Sequence, residues 1–168
     1  MATNLEYKKL NSEELTEEQF KNILEVEQSD GDDCYSEETL RNIWFERTTN
    51  DNFVCIANNK IVGCINFNPL SQRRNGSIYM INLMILPEYR KNGIATNLIK
   101  EACEYYLGKG CKKVMSLNVE KDNYKAINLY KKVGFEIREP VCEADEDDEQ
   151  YVMDCHLEEI INTIRSLY

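Results

Sequence analysis

The sequence predicts an α/β (α+β) fold in one domain spanning 1–168. Three observations carry that expectation. Strand-like and helix-like runs alternate along all 168 residues. The length fits one ordinary domain, which holds about 100–200 residues. A nearly continuous apolar run, Ile78–Leu86, reads as a central strand buried on both faces, because alternation disappears when neither face meets water.

Each element follows in order. Leu5 and Tyr7 alternate within residues 4–10 and predict a short first strand. Thr16-Glu17-Glu18-Gln19 has capping-box form and opens a helix with Phe20, Ile23, Leu24 and Glu27 at helical spacing. Ser36 starts a second helix with Leu40, Ile43, Trp44 and Arg47 on one face. Phe53–Ala57 and Ile61–Phe67 read as strands joined by an Asn58-Asn59 turn. Arg74-Asn75-Gly76-Ser77 carries Asn-Gly, the strongest short hairpin signal, ahead of Ile78–Leu86. Pro87 ends that strand. Ile94, Leu98, Ile99, Ala102, Cys103 and Tyr106 then mark a long amphipathic helix, stopped by Gly108 and Gly110. Val114–Val119 is a further strand. Asp122 or Asn123 caps a helix bearing Ala126, Ile127, Tyr130 and Val133 and closed by Gly134. Phe135–Cys142 and Gln150–Leu157 read as strands joined by an acidic loop, and Glu158–Tyr168 as a terminal helix.

Composition narrows the partners. There are 20 Lys+Arg against 30 Asp+Glu, a formal net charge of −10. That balance argues against a general nucleic-acid or anionic-membrane binder, since phosphate binding draws on Lys and Arg. The seven cysteines (34, 55, 64, 103, 111, 142 and 155) form no Cys-x-x-Cys pair and read as reduced thiols acting as small hydrophobes. The first twenty residues lack a basic stretch followed by an apolar one, and no apolar run approaches the roughly 18 residues of a membrane span. The expectation is a soluble cytoplasmic protein without metal.

The informative stretch is strand, Pro87-Glu88-Tyr89, Arg90-x-x-Gly93-x-Ala95, helix. A helix start exposes unpaired N–H groups and the positive end of its dipole. Gly93 and small Ala95 let an anion approach the backbone, and Arg90 and Lys91 add positive charge, so the segment reads as a pyrophosphate cradle. Taken alone, a tight βα turn explains Gly93-x-Ala95 equally well. The Gly-Lys-Ser/Thr of a P-loop and the Gly-x-Gly-x-x-Gly of a dinucleotide fold are both missing.

Three segments in order resemble the GNAT superfamily of acetyl-CoA-dependent N-acetyltransferases. They are Leu83-Met84-Ile85-Leu86-Pro87-Glu88-Tyr89-Arg90-Lys91-Asn92-Gly93-Ile94-Ala95, then Leu117-Asn118-Val119 with Asn123, then Ala126-Ile127-Asn128-Leu129-Tyr130-Lys131-Lys132-Val133-Gly134-Phe135. The resemblance implies a mixed, largely antiparallel sheet of about six or seven strands, splayed between its two central parallel strands and flanked by helices. It implies that the backbone of Leu83, Met84 and Ile85 holds the pantetheine arm of acetyl-CoA. It places the pyrophosphate on the amides of Lys91, Asn92, Gly93, Ile94, Ala95 and Thr96, with Arg90 opening the motif. It gives Asn123 a contact to the cofactor arm and Tyr130 the role of general acid at the thioester sulfur. By spacing alone Tyr130 reads as a core aromatic, and Asn123 as a helix cap.

The implied reaction is direct attack of an amine on the thioester in a ternary complex, with backbone N–H groups stabilising the oxyanion and a phenol protonating the thiolate. Many family members carry a base, Glu, where this chain has Asn118, which cannot serve; Glu120 lies on the same strand face near its end, and the base is unassigned. The sole histidine, His156, neighbours Cys155 in a strand, so the two face opposite ways and form no dyad. Asp30, Asp32 and Asp33 lack calcium-loop spacing and read as a solvated turn. Cys142 has no partner to activate it.

The charge is divided. Residues 87–132 hold ten basic and five acidic side chains, and the remainder ten basic and 25 acidic. Acids gather in residues 13–38 and 143–149, segments that the resemblance places on the acceptor side. Most read as solvated. The sharper reading is a groove that attracts a cationic amine: a polyamine, an aminoglycoside-like amine or a peptide amine. The competing reading is a GNAT-fold module that binds acyl-CoA without turnover, as a sensor or interaction partner. Either is compatible with a monomer or a homodimer.

Overall fold

A computed structural model describes residues 3–31, 34–72, 76–139 and 148–168. In chain order the elements are β1 (Leu5–Lys9), α1 (Glu17–Glu27), α2 (Glu37–Arg41), β2 (Asp51–Ala57), β3 (Lys60–Asn68), β4 (Ile78–Ile85), α3 (Ile94–Gly108), β5 (Val114–Glu120), α4 (Tyr124–Lys132), β6 (Glu136–Arg138), β7 (Gln150–His156) and α5 (Leu157–Ser166). The seven strands run β1-β2-β3-β4-β5-β7-β6 across one sheet, mixed as expected. The chain divides into two compact units, Met1–Phe67 with Asn82–Glu101, and Asn68–Ile81 with Ala102–Tyr168. Of the sequence expectations, the Arg74-Asn75 turn, Asp32, Asp33, Cys142 and most of the acidic loop lie outside the described residues.

In the first unit, α1 begins on the expected capping box: Gln19 N–H donates to Thr16 Oγ1 (3.1 Å) and Thr16 N–H to Gln19 Oε1 (3.0 Å). Its buried face is Phe20, Ile23, Val26 and Glu27. Asn22 clips α1 to β3, donating to Ile61 O (3.0 Å) and accepting from Ile61 N–H (2.6 Å). Ser36 caps α2, which widens into a π turn over 42–46, with Arg47 N–H donating to Asn42 O (2.9 Å). That wider turn corrects one expectation. Leu40, Ile43 and Trp44 are buried, but Arg47 is rotated out to solvent, where its Nε donates to Asn42 Oδ1 at 2.6 Å.

Asn58 and Asn59 both sit at positive φ (51° and 63°), as a tight two-residue hairpin between β2 and β3 requires. The β2–β3 register shifts from Cys55↔Gly63 to Ile56↔Ile61, which leaves Val62 as the extra residue of a bulge. Leu86 N–H donates to Val62 O at 2.9 Å and joins the end of β4 to that bulge. Next to it, Gly63 is crowded: a Cβ there would stand 2.7 Å from Ile85 Cδ1 and 3.1 Å from Ile94 Cγ2. Gly63→Ala is expected to lower stability by about 1–3 kcal/mol through overpacking, read as a drop in the urea midpoint at constant m-value.

In the second unit, β4 pairs parallel with β5 at Ile78↔Met115 and Tyr79↔Ser116, and Ser77 and Ser116 share a buried hydrogen bond of 2.5 Å. The antiparallel β5–β7 ladder is longer, running from Val114↔His156 to Glu120↔Gln150, and β6 adds beyond β7. α5 packs Leu157, Ile160, Ile161 and Ile164 inward. Gly134 closes α4 at φ 109°.

Two further expectations are corrected. β4 occupies the centre of the strand order but is not buried on both faces, since Ile81, Asn82, Leu83 and Met84 are only half-buried. β6 spans Glu136–Arg138 and leaves out Phe135 and Glu139 of the expected 135–142 run, whose residues 140–142 lie outside the described residues. Cys155 is buried and His156 exposed, the alternation expected of neighbours in a strand. The six described cysteines are free thiols. No described helix is long and apolar enough to cross a membrane.

Candidate active site

The loop between β4 and α3 is shaped by a few local rules. Pro87–Tyr89 forms a single 3₁₀ turn. Lys91 and Gly93 both take positive φ (65° and 76°), and Asn92 Nδ2 donates to Tyr89 O (3.0 Å) and Arg90 O (3.2 Å), which fixes the bend. The first backbone bond of α3 is Asn97 N–H to Gly93 O at 3.0 Å. Among the described residues, none of the N–H groups of Lys91, Asn92, Gly93, Ile94, Ala95 and Thr96 has a protein acceptor. Six successive unfilled donors at the positive end of a fifteen-residue helix fit a pyrophosphate.

Arg90 does not join them. Its Nε donates to Ile85 O (3.0 Å) and its Nη2 to Asp30 Oδ1 (2.6 Å), with Met84 Sδ beside it at 3.9 Å. Asp30, expected to be a solvated turn residue, is thus the ion-pair partner of Arg90. The pair is half-exposed, so its value lies in holding the loop after α1 near the end of β4 more than in stability. Positive charge at the loop falls to Lys91, which is exposed.

On β4, Leu83 and Met84 are half-buried and Ile85 is buried. Side chains alternate along the strand. Ile85 is turned to the tight contact with β3 and α3 around Gly63, and Asn82 to α1.

The remaining expected residues lie in the second unit. Asn123 caps α4, its Oδ1 accepting from Ala126 N–H at 3.2 Å. Of the two caps the sequence allowed, Asn123 is the one used, and its Nδ2 makes no hydrogen bond among the described residues. Tyr130 is half-buried, stacked edge-on against Phe135 at 5.9 Å between centroids. Its hydroxyl also makes no hydrogen bond among the described residues. Burial, with Tyr79 as a lesser cause, pushes its pKa up to about 12, so it stays a proton donor at neutral pH. Asn118 Nδ2 donates to Gln150 Oε1 (3.3 Å), and Gln150 Nε2 donates to Glu120 Oε1 (2.8 Å). Amides separate Asn118 from the carboxylate, and Glu120 is exposed at the strand end.

One group was missed as a site residue. Glu27, counted among the acids of residues 13–38, is 1 % exposed. Its Oε1 accepts from Cys64 Sγ on β3 (2.8 Å) and its Oε2 from Asn82 Nδ2 on β4. Burial raises its pKa to about 7, against the lowering effect of the bonds from Cys64 and Asn82. The available signal was its phase: Glu27 falls on the same helical face as Phe20 and Ile23.

Because the folded pKa of Glu27 lies above the unfolded one, the folded state holds the extra proton between about pH 4.5 and 7. Its contribution to stability is therefore full at acid pH and is lost as pH rises through that window. The expected loss is about 3 kcal/mol, from about 1.4 kcal/mol per pKa unit. Glu27→Gln should remove this component. Urea unfolding of both proteins at pH 5 and pH 8 checks it: the variant gains on the wild type at pH 8.

A mixed seven-stranded sheet with a parallel pair near its centre, and a helix start after β4 whose N–H groups are unfilled among the described residues, define an α/β protein with a place where an anion would fit. The chain belongs to the GNAT acetyltransferase family, whose model, described as Acetyltransferase (GNAT) family, matches residues 14–135. An uncharacterised N-acetyltransferase of Methanocaldococcus jannaschii is 35% identical over 104 residues, covering 58% of this chain and 45% of that protein. Mouse thialysine N-epsilon-acetyltransferase is 41% identical over 58 residues, 34% of each chain. The matches thus span between a third and a half of the length of these curated relatives. The PaiA N-acetyltransferase of Thermoplasma acidophilum, solved with coenzyme A, superposes with a TM-score of 0.67 at 20% identity, covering 91% of this chain and 99% of that one. At that identity the likeness speaks for the fold.

Proposed function

We propose that this protein moves an acetyl group from acetyl-CoA to a primary amine by direct attack in a ternary complex. The observation that carries the reading is the run of six amides at Lys91–Thr96, unfilled among the described residues and bent by left-handed Lys91 and Gly93. It offers the donors that a pyrophosphate needs. Leu83, Met84 and Ile85 would hold the pantetheine arm, Asn123 would contact it through its unused Nδ2, and Tyr130 would protonate the departing thiolate. Bound acetyl-CoA supplies the activated acyl group; the chain supplies position, oxyanion donors and the proton. The whole chain, 1–168, acts as one catalytic domain.

Family membership and charge support the acceptor class. The mouse relative is named for an ε-amine, and a primary amine suits the present chain equally. The acids of α1 and α2 support a cationic acceptor, although several are already matched: Glu17 and Glu37 by Arg41, Glu25 by Lys60 and Asp30 by Arg90. A thiol-release assay with acetyl-CoA over a panel of polyamines, aminoglycosides and peptides tests both parts. Turnover of cationic amines that weakens with salt is expected. A preference for anionic acceptors would overturn the charge assignment. Tight CoA binding with no amine-stimulated release would replace the enzyme by a non-catalytic acyl-CoA sensor.

A further inference from the structure

Glu27 is a buried carboxyl that the proposed chemistry does not use. Its surroundings are specific. It ends α1, lies over the half-buried stretch of β4, and is gripped by two donors from two strands, Cys64 on β3 and Asn82 on β4. No Lys, Arg or His pairs with it among the described residues. Among the described residues, the one titratable group in contact with it is the Cys64 thiol, itself pushed well up by burial and therefore neutral. A buried carboxyl without a cation is an expensive arrangement that an apolar side chain would avoid. Of its two hydrogen-bond partners, Cys64 is buried and Asn82 is of intermediate exposure.

The amide of Asn82 has two ends. Its Nδ2 is held by Glu27, and its Oδ1 takes no hydrogen bond among the described residues and is not sealed from solvent. Asn82 directly precedes Leu83–Ile85, the segment assigned above to the acyl donor. We propose that Glu27 and Asn82 form an acceptor-positioning pair, in which the carboxylate holds the amide by its N–H and so turns the amide oxygen outward to accept an N–H from the incoming primary amine. Glu27 is a positioning residue, acting through Asn82. This rests on the acetyltransferase reading above.

The arrangement has a direction built into it. Ionised Glu27 only accepts hydrogen bonds, so it requires the Nδ2 end of Asn82. Protonated Glu27 gains one O–H donor and keeps an acceptor oxygen, so it no longer requires the Nδ2 end and leaves the amide free to reverse, which presents Nδ2 to the amine. Two donors facing one another do not bind. Acceptor recognition should therefore switch on as Glu27 loses its proton, around neutral pH. Glu27→Gln keeps the shape but can donate or accept at Asn82, so it removes the requirement for the Nδ2 end at all pH values.

The test uses the full chain with acetyl-CoA and, as acceptor probes, spermidine and a short peptide with a free N-terminus. For Glu27→Gln the expected result is an amine KM raised about 10-fold, the worth of one net hydrogen bond, with kcat and CoA affinity much less affected. Asn82→Ala should do the same, and the double variant should add little to either alone. The side-chain amide resonances of Asn82 should shift with pH near neutrality in the wild type and stay fixed in Glu27→Gln. Turnover with amine KM unchanged in Asn82→Ala, or an Asn82 amide blind to pH, would overturn the pair while leaving the acetyltransferase reading standing. No thiol release with any amine would overturn that reading, and the pair's role with it.

Discussion

Gly93→Val is expected to reduce CoA affinity about 100-fold or more. Gly93 sits at φ 76°, a region where a β-branched side chain clashes with its own carbonyl, at a cost of about 1–2 kcal/mol. The chain at residue 93 would relax toward negative φ and redirect the amides around it. A hydrogen bond to a charged acceptor contributes about 1.5–3 kcal/mol, so losing two of them removes about 3–6 kcal/mol. About 2.7 kcal/mol corresponds to 100-fold in affinity. Calorimetric titration with CoA and with phosphate-free acetyl-pantetheine separates local from general damage. The CoA term should collapse while the pantetheine term holds. CoA binding within twofold of wild type would falsify the amide cradle.

Tyr130→Phe should lower kcat by about 10²–10⁴-fold, the range that a positioned general acid contributes. CoA affinity and stability should barely move. The hydroxyl has no hydrogen bond to lose among the described residues, and the ring keeps its edge-on contact with Phe135. The pKa of about 12 adds a sign. The phenol stays protonated through the assay range, so Tyr130 should produce no alkaline fall in kcat below about pH 10. Single-turnover rates from pH 6 to 10 measure both effects. A variant retaining more than a third of wild-type turnover would return Tyr130 to the role of a core aromatic, which its helical spacing alone had allowed.

Much of the fold was legible because its signals are short-range. The Thr16–Gln19 box, the Ser36 cap, the Asn58-Asn59 turn and the Gly134 stop each depend on residues within a few positions, and each appears where its local chemistry required. The loop at Arg90–Thr96 was legible for the same reason: a left-handed glycine at a helix start is a local event. Arg47 failed because a π turn, invisible in a 3.6-residue pattern, rotates the last residue of the face by one extra position. β4 failed differently. An apolar run reports that a strand prefers burial, but whether it is covered depends on which elements lie over it, and Ile81–Met84 are left half-open.

The charge count shows where local reading ends. Sequence alone determined the order of strands and helices, the caps and turns that bound them, the backbone freedom at Gly93 and the contrast between a basic 87–132 segment and an acidic remainder. Tertiary structure decided what individual charges do. It spent Arg90 on Asp30, sixty residues away, and buried Glu27 against Cys64 and Asn82, 37 and 55 residues away. The reason is physical: a backbone preference is set by a residue and its immediate neighbours, whereas desolvation and pairing depend on what the folded chain brings alongside. Glu27 carries the same side chain as Glu25 two positions before it, yet one pairs with Lys60 at the surface and the other sits in the core.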